Sequence, residues 1–241
     1  MCLYVLSGSM GNAASESMTQ KHYKTKDSFE KSVVFKQIKD VDTNDFFKAM
    51  DIYTEAFPAC ERHAIPIIQK RVKMKINQLY IGYLHHEIVF FALLHPIKKT
   101  AYTLLDYMAT ASNYRGRGIG KQFIRYLIST LEAGHIHYLM EVEDPRQGTN
   151  RTQRKIRIQF YTKFGAKTFE NVQYIIPPLS GETATQARLM ILSASNQTTI
   201  SGTQVKNLIA EIYHNLYPSK EYKKYLQKIV ENIPDAPINL L

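Results

Sequence analysis

The chain has 241 residues, 44% of them hydrophobic, with 16 Tyr and 11 Phe, enough for one large domain with a substantial core. Its formal charge of +10 favours polyanionic partners. It holds no zinc-ligand spacing and no aromatic-basic ribonucleoprotein motif, so nucleic acid is disfavoured as a partner. No apolar run reaches the roughly 18 residues of a membrane helix, and the apolar opening at residues 1–6 lacks the basic flank of a secretory signal. Two cysteines, Cys2 and Cys60, suit a reducing compartment rather than a disulfide framework. A cytoplasmic protein without a membrane partner is expected.

Residues 1–28 are rich in Ser, Gly, Asn, Met and Thr without a sustained apolar period, and read as a flexible tail. A myristoylation-like pattern starts at Gly11, but that modification needs a glycine at the mature N-terminus and this one is internal. Residues 33–38 read as the first strand. Asp42, Thr43 and Asn44 supply helix-start chemistry ahead of an apolar stripe through Phe46, Phe47, Met50, Ile52 and Phe57. Pro58 ends that helix, and a second is expected over about 59–75, weakened or kinked at Pro66. Within it Cys60 precedes His63 by three positions; with no orienting partner in the sequence, Cys60 reads as a free helix thiol. Residues 79–84 and 87–94, joined by a short turn at His85-His86, form a meander with a third strand over 100–111.

Gly116 and Gly118 then punctuate the chain before an amphipathic helix over 121–132, with Phe123, Ile124, Leu127, Ile128 and Leu131 inward and Gly134 as its C-cap. A strand over 137–143, a polar loop to about 152, a helix over 153–164 ended by Gly165, and strands over 166–176 and 188–193 follow. Two further amphipathic helices, 204–216 and 221–233, are separated by Pro218. Their apolar faces need cover: a helical hairpin docked on the main domain is the simplest account, and a partner-binding or dimerising element is the alternative. The chain is thus expected to divide into a tail at 1–28, a domain at 29–195 and a helical extension at 196–241.

Arg115-x-x-Gly118-x-Gly120, set between a strand and an amphipathic helix, is a phosphate-binding arrangement. Glycines let the backbone turn sharply and approach closely, and free N–H groups at a helix start attract anions. The lysine-serine ending of a Walker loop and the spacing of a dinucleotide-binding fingerprint are both missing. At these residues the sequence resembles the GNAT superfamily of N-acetyltransferases. Its pyrophosphate signature runs Gln or Arg, two residues, Gly, one residue, then Gly or Ala. Phe160-Tyr161-x-x-Phe164-Gly165-Ala166 looks like the family's second landmark, an aromatic and a tyrosine on a helix before a glycine turn. The resemblance spans about residues 33–192. It implies an α+β, three-layer fold: a mixed, mostly antiparallel central sheet of about six or seven strands flanked by helices, here followed by a C-terminal helical hairpin. It also implies an N-acetyltransferase that moves an acetyl group from acetyl-CoA to a primary amine of a small molecule or protein.

The resemblance assigns roles to positions. Main-chain groups of Met108, Ala109 and Thr110 would line the acyl-pantetheine arm. The turn at Gly116, Arg117, Gly118, Ile119, Gly120 and Lys121 would hold the pyrophosphate, with the side chains of Arg115, Arg117 and Lys121 adding charge. Tyr161 falls at the general acid's place, where a phenol of pKa near 10 stays protonated and donates to a leaving thiolate. Glu141 and Glu143, two apart on one strand, share a face and are base candidates, with Asp106 a third. For each, an ion pair with Arg151, Arg154 or Arg157 is the alternative. Glu61 and Arg62 lie where this family contacts the acceptor, and helix-surface charge is their other reading. The histidine spacing predicts no metal, since His135-x-His137 lacks a third ligand. The competing function is a catalytically silent acyl-CoA sensor that uses the C-terminal helices to bind a partner.

Overall fold

The computed structural model describes residues 32–134, 136–148, 150–180, 183–217 and 222–241, with no side-chain account for 132–134. The expected tail at 1–28, His135 and Pro218 lie outside these residues. β1 (Val34–Ile38), β2 (Gln78–Leu84), β3 (Glu87–Pro96) and β4 (Tyr102–Thr110) form an antiparallel meander. β5 (His137–Glu143) lies parallel to β4 and antiparallel to β8 (Thr185–Leu192), which also pairs β6 (Lys167–Thr168) and β7 (Tyr174–Ile176). The order across this eight-stranded sheet is β1-β2-β3-β4-β5-β8-β6, with β7 also on β8.

Helices cover both faces, which is why all nine residues of β4 are buried. Leu105, Met108, Met140 and Val142 pack with α3 (Ile119–Gly134) and α4 (Arg151–Thr162). Alternate positions point the other way: Tyr107 and Ala109 meet α1 (Asn44–Ala56) and α2 (Ile65–Lys73), and Leu104 and Leu139 meet α5 (Gly202–Leu216) and α6 (Tyr222–Glu231). The fold is therefore the expected three-layer α+β arrangement around a mostly antiparallel sheet.

Two expectations change. The second helix does not begin near residue 59: Ala59–Glu61 is one 3-10 turn, and α2 starts at Ile65 with Pro66 in its first turn. There the missing N–H has no intrahelical partner to lose, so this proline opens the helix instead of kinking it. The strand expected over 166–176 splits into β6 and β7, because Phe169 bridges Leu240 and Glu170 N–H donates to the Asn239 carbonyl at 2.9 Å. That partner is β10 (Pro237–Asn239), which pairs with β9 (Thr199–Ser201) just before α5. The apolar faces of the C-terminal helices do find their cover on the main domain, as expected of a docked hairpin. Val205, Leu208, Ile209 and Ile212 of α5 and Ile229 of α6 are buried against the chain's own sheet. Arg71 Nη2 of α2 fastens the end of α5 by donating to the carbonyls of Asn215 at 3.2 Å and Leu216 at 3.0 Å. Among the described residues, no helix is long and apolar enough to cross a membrane.

Candidate acyl-coenzyme A site

β4 and β5 pair from Tyr102↔His137 to Leu105↔Met140 and no further, although β4 continues to Thr110 and β5 to Glu143. The parting begins at a bulge. On β3, Leu93 faces Tyr107 and Leu94 faces Leu105, so Asp106 is the extra residue of β4. A bulge sharpens local twist and bends its strand. It thereby opens a V between the two strands. Met108, Ala109 and Thr110 pair with Ala92, Phe91 and Phe90 on one side. Their other edge is unpaired with β5, so alternate N–H and C=O groups face the gap.

The V leads into the glycine turn. After the 3-10 turn Ser112–Tyr114, Gly116 and Gly118 adopt φ of +77° and +78°, a region closed to most side chains. α3 starts at once, and Gln122 N–H donates to the Gly118 carbonyl at 3.1 Å. By helix geometry the N–H groups of Ile119, Gly120 and Lys121 have no intrahelical acceptor. Gly120 brings α3 close to its neighbours: a Cβ there would lie 3.9 Å from both Met108 Cε and Phe160 Cζ. The result is a row of backbone donors, aided by the helix dipole, at the mouth of the V.

The side chains around the turn divide. Arg115 Nε donates to the Thr110 carbonyl at 3.1 Å and Nη2 meets Glu55 Oε1 at 3.0 Å. It braces the loop against α1, a different task from the expected contact with the coenzyme. Arg117 is exposed, 4.9 Å from the centre of the Tyr114 ring, with Nη2 donating to the Asn113 carbonyl at 3.1 Å. Lys121 is exposed on the first turn of α3. Tyr161 of α4 is fully buried in the core beneath α3, edge-on to Phe160.

A family model for the acetyltransferase (GNAT) domain matches residues 75–165, the segment from the start of β2 through α4 that holds both the V and the turn. The chain has a GNAT-like fold. Among solved structures, a protein of Bacteroides thetaiotaomicron assigned to the GNAT acetyltransferases is 20% identical, with a TM-score of 0.63 over 78% of this chain and 99% of its own. An aminoglycoside 6'-N-acetyltransferase in complex with coenzyme A is 14% identical, with a TM-score of 0.51 over 68% of this chain and 98% of its own. Identities this low establish the shared fold. A search of curated proteins found no match.

Within this GNAT-like fold the acidic candidates occupy different settings. Glu143 accepts from Arg157 and pairs with Arg154 Nη2 at 3.2 Å, so the ion-pair reading describes it. Both of its oxygens are engaged by guanidiniums, which argues against a base role. Glu141 is 1% exposed and accepts from the phenols of Tyr174 and Tyr217, the latter at 2.8 Å. Burial pushes both phenols well above their usual range, so they remain protonated donors. Asp106 is buried at the bulge; burial raises its carboxyl to about 7, with Arg71 opposing and Glu141 adding to the rise.

The segment before α2 closes this region. Arg62 Nη1 donates to the carbonyls of Phe57 at 2.5 Å and Thr54 at 3.2 Å. It caps the end of α1, so its guanidinium is already spent on backbone and is poorly placed to read an acceptor. Glu61 is half-buried; burial raises its carboxyl, Glu143 adds to this, and Arg157 and Arg154 oppose it. Its carbonyl accepts from Tyr107 at 3.3 Å. Cys60 is exposed while His63 is buried, with its imidazole pushed down to about 3 by burial and by Arg71, so the two form no thiol–base pair. Among the described residues no group of three or more His, Cys, Asp and Glu could hold a metal. Tyr174, Tyr217 and Arg71 were not visible as site residues in the sequence. Tyr217 lies 76 positions from Glu141, and no spacing rule joins them.

Proposed function

We propose that this GNAT-like protein is an N-acetyltransferase that moves an acetyl group from acetyl-CoA to a primary amine by direct attack in a ternary complex. The observation that carries the reading is the parting of β4 from β5 after Leu105↔Met140, immediately upstream of the Gly116–Gly120 turn. A strand edge with unpaired amides suits a pantetheine arm, and the row of N–H donors at α3 suits a pyrophosphate. The amides of Arg117, Gly118, Ile119, Gly120 and Lys121 would take the phosphates, and Met108, Ala109 and Thr110 the arm. We further propose that residues 29–195 form the catalytic unit, that 196–241 elaborate it, and that the protein acts in the cytoplasm.

In this reading the acceptor ammonium first gives a proton to a carboxylate at the vertex of the V. The freed nitrogen lone pair attacks the thioester carbonyl carbon. The C–S bond then breaks, its electron pair leaves on the coenzyme sulfur, and Tyr161 Oη protonates that thiolate. The proton released as the amide forms restores the phenol, so one proton leaves per turnover. Transfer from Tyr161, now buried in the core, accompanies filling of the V by the coenzyme. Glu61, on the rim with Glu143, faces the acceptor's approach.

The silent-sensor reading loses the surface it needed, since the apolar faces of α5 and α6 are covered by the sheet. The test is release of free thiol from acetyl-CoA with a panel of primary amines, read beside acetyl-CoA binding. Turnover with at least one amine is expected. Tight binding with no turnover on any amine would sink the enzymatic reading.

A further inference from the structure

Two buried acids flank the vertex of the V. Leu105↔Met140 is the last pair between β4 and β5, so Asp106 and Glu141 are the next residue on each strand as the strands part. Taking the transfer reading as its basis, we propose that Glu141 is a fixed anion and not the base. Tyr174 of β7 and Tyr217 at the end of α5 clamp it, and it positions the acceptor ammonium beside Asp106, which takes the proton. The C-terminal helix α5 is then part of the reaction centre.

The clamp argues this from geometry. A base must offer a lone pair to the incoming proton, whereas Glu141 already accepts from two phenols in a site only 1% exposed. Hydrogen bonds to a carboxylate stabilise its charged form. Tyr217 is held in turn, because Arg71 grips the carbonyls of the two residues directly before it. Arg71 thus ties α2, the end of α5 and the vertex into one unit.

Asp106 sits differently. It is the bulged residue, and bulges re-aim side chains at functional sites. From α2 it feels Arg71, from β5 Glu141, and from its own strand Tyr107; Tyr107 in turn stacks edge-on with Tyr53 of α1. Tyr213 of α5 faces Glu141, Tyr217 faces both acids, and Glu61, Glu143, Arg154 and Arg157 stand at the rim. Burial, together with the charge of Glu141, holds the Asp106 carboxyl near neutrality. That value suits a group that accepts a proton and releases it again at physiological pH. A fixed negative charge at the closed end of the V selects an acceptor that arrives as a cation, a primary alkylammonium.

The test compares Asp106→Asn, Glu141→Gln and Tyr217→Phe in the full chain. Asp106→Asn should lose about 100-fold or more in kcat while keeping acetyl-CoA affinity. Glu141→Gln should lose less turnover, raise KM for the amine, and move the acid limb of the pH–rate profile down by roughly one pH unit, because the charge that raised Asp106 is gone. The opposite ranking, with Asp106→Asn active and Glu141→Gln dead, would overturn the assignment. Infrared titration gives a readout independent of turnover. The resting protein should show a protonated-carboxyl band that titrates near neutral pH and is missing in Asp106→Asn. If that band vanishes only in Glu141→Gln, the proposal fails even where turnover is seen. If no amine is acetylated but the band behaves as stated, the transfer reading fails and the charge arrangement stands. Should Glu141→Gln not fold, Tyr217→Phe decides. Loss of that donor loosens the clamp, so KM for the amine should rise severalfold while acetyl-CoA affinity stays unchanged; kinetics identical to those of the unaltered chain remove α5 from the centre.

Discussion

Replacing Asp106 with Asn should make the protein more stable at neutral and alkaline pH while removing its chemistry. The Asp106 carboxyl is held at about 7 in the fold against an ordinary value of 3.8. A group that binds its proton more tightly when folded contributes stability that is full below the unfolded value and lost as pH rises through the folded one. The displacement from 3.8 to about 7 is worth about 4 kcal/mol. The native chain carries that penalty above neutral pH, and the amide of Asp106→Asn does not. Urea unfolding of both chains at about pH 5 and about pH 8.5 reads the difference directly. The variant should be ahead by a few kcal/mol at the higher pH, with most of that lead gone at the lower. His63 and His95, pushed down to about 3 and about 4 mainly by burial, impose the opposite slope. Their contribution is lost as pH falls below about 6.5, but both chains share it and it cancels in the comparison. A difference that is the same at both pH values, or a variant less stable at the higher pH, would refute the reasoning.

Other substitutions separate the roles of the surrounding residues. Gly118→Val forces a β-branched residue to φ +78° where a Cβ meets nothing within 4 Å. It should cost about 1–2 kcal/mol of strain and weaken acetyl-CoA binding roughly tenfold or more; an unchanged Kd would remove the turn from the donor site. Gly202→Ala would put a Cβ 1.7 Å from the Pro234 carbonyl oxygen. Its Tm should fall by an amount matching at least about 1–3 kcal/mol, and a native Tm would contradict the packing of α5. Arg62→Ala should cost about 1–2 kcal/mol by uncapping α1 while KM for the amine stays put. A raised KM at native stability would return Arg62 to the acceptor site. Tyr161→Phe should slow kcat about 100-fold and spare acetyl-CoA affinity; full turnover would take this phenol out of the mechanism.

Local chemistry explains what the sequence revealed. Thr43 ahead of α1 does cap it, its hydroxyl accepting from Phe46 N–H at 3.4 Å, and the paired histidines of the β2–β3 turn take φ of +48° and +66°. The second of these could be read only as a short turn, since histidine rarely adopts that region and the tight hairpin turn demands it. The glycine turn was legible because its geometry is local: two positive φ angles and a helix start within six residues. What stayed hidden is long-range. β9 and β10 are three residues each, from Thr199–Ser201 and Pro237–Asn239, and they exist only because they pair with one another across the whole of α5 and α6. The arginines were legible as charges but not as partners. Arg115 and Arg62 turned inward to backbone carbonyls, and no periodicity distinguishes that from a guanidinium facing solvent.

The same distinction bears on where the reaction centre ends. The segment matched by the GNAT domain model stops at residue 165, and it contains Asp106, Glu141 and the whole glycine turn. Yet Tyr174 lies beyond it on β7 and Tyr217 beyond it at the end of α5, the position that Arg71 fixes. A buried carboxylate is tolerated only where donors meet its charge. For Glu141 two of those donors come from outside the matched segment, so the charge at the vertex depends on residues some thirty and seventy positions downstream. The C-terminal helices also bury the sheet under β5 and β8. One element thus serves two ends: its apolar face completes the core, and Tyr217, just past its last turn, donates to Glu141 beside the bulge. A helix recruited only as a cover would need the first property; the Arg71 tie and the Tyr217 phenol supply the second.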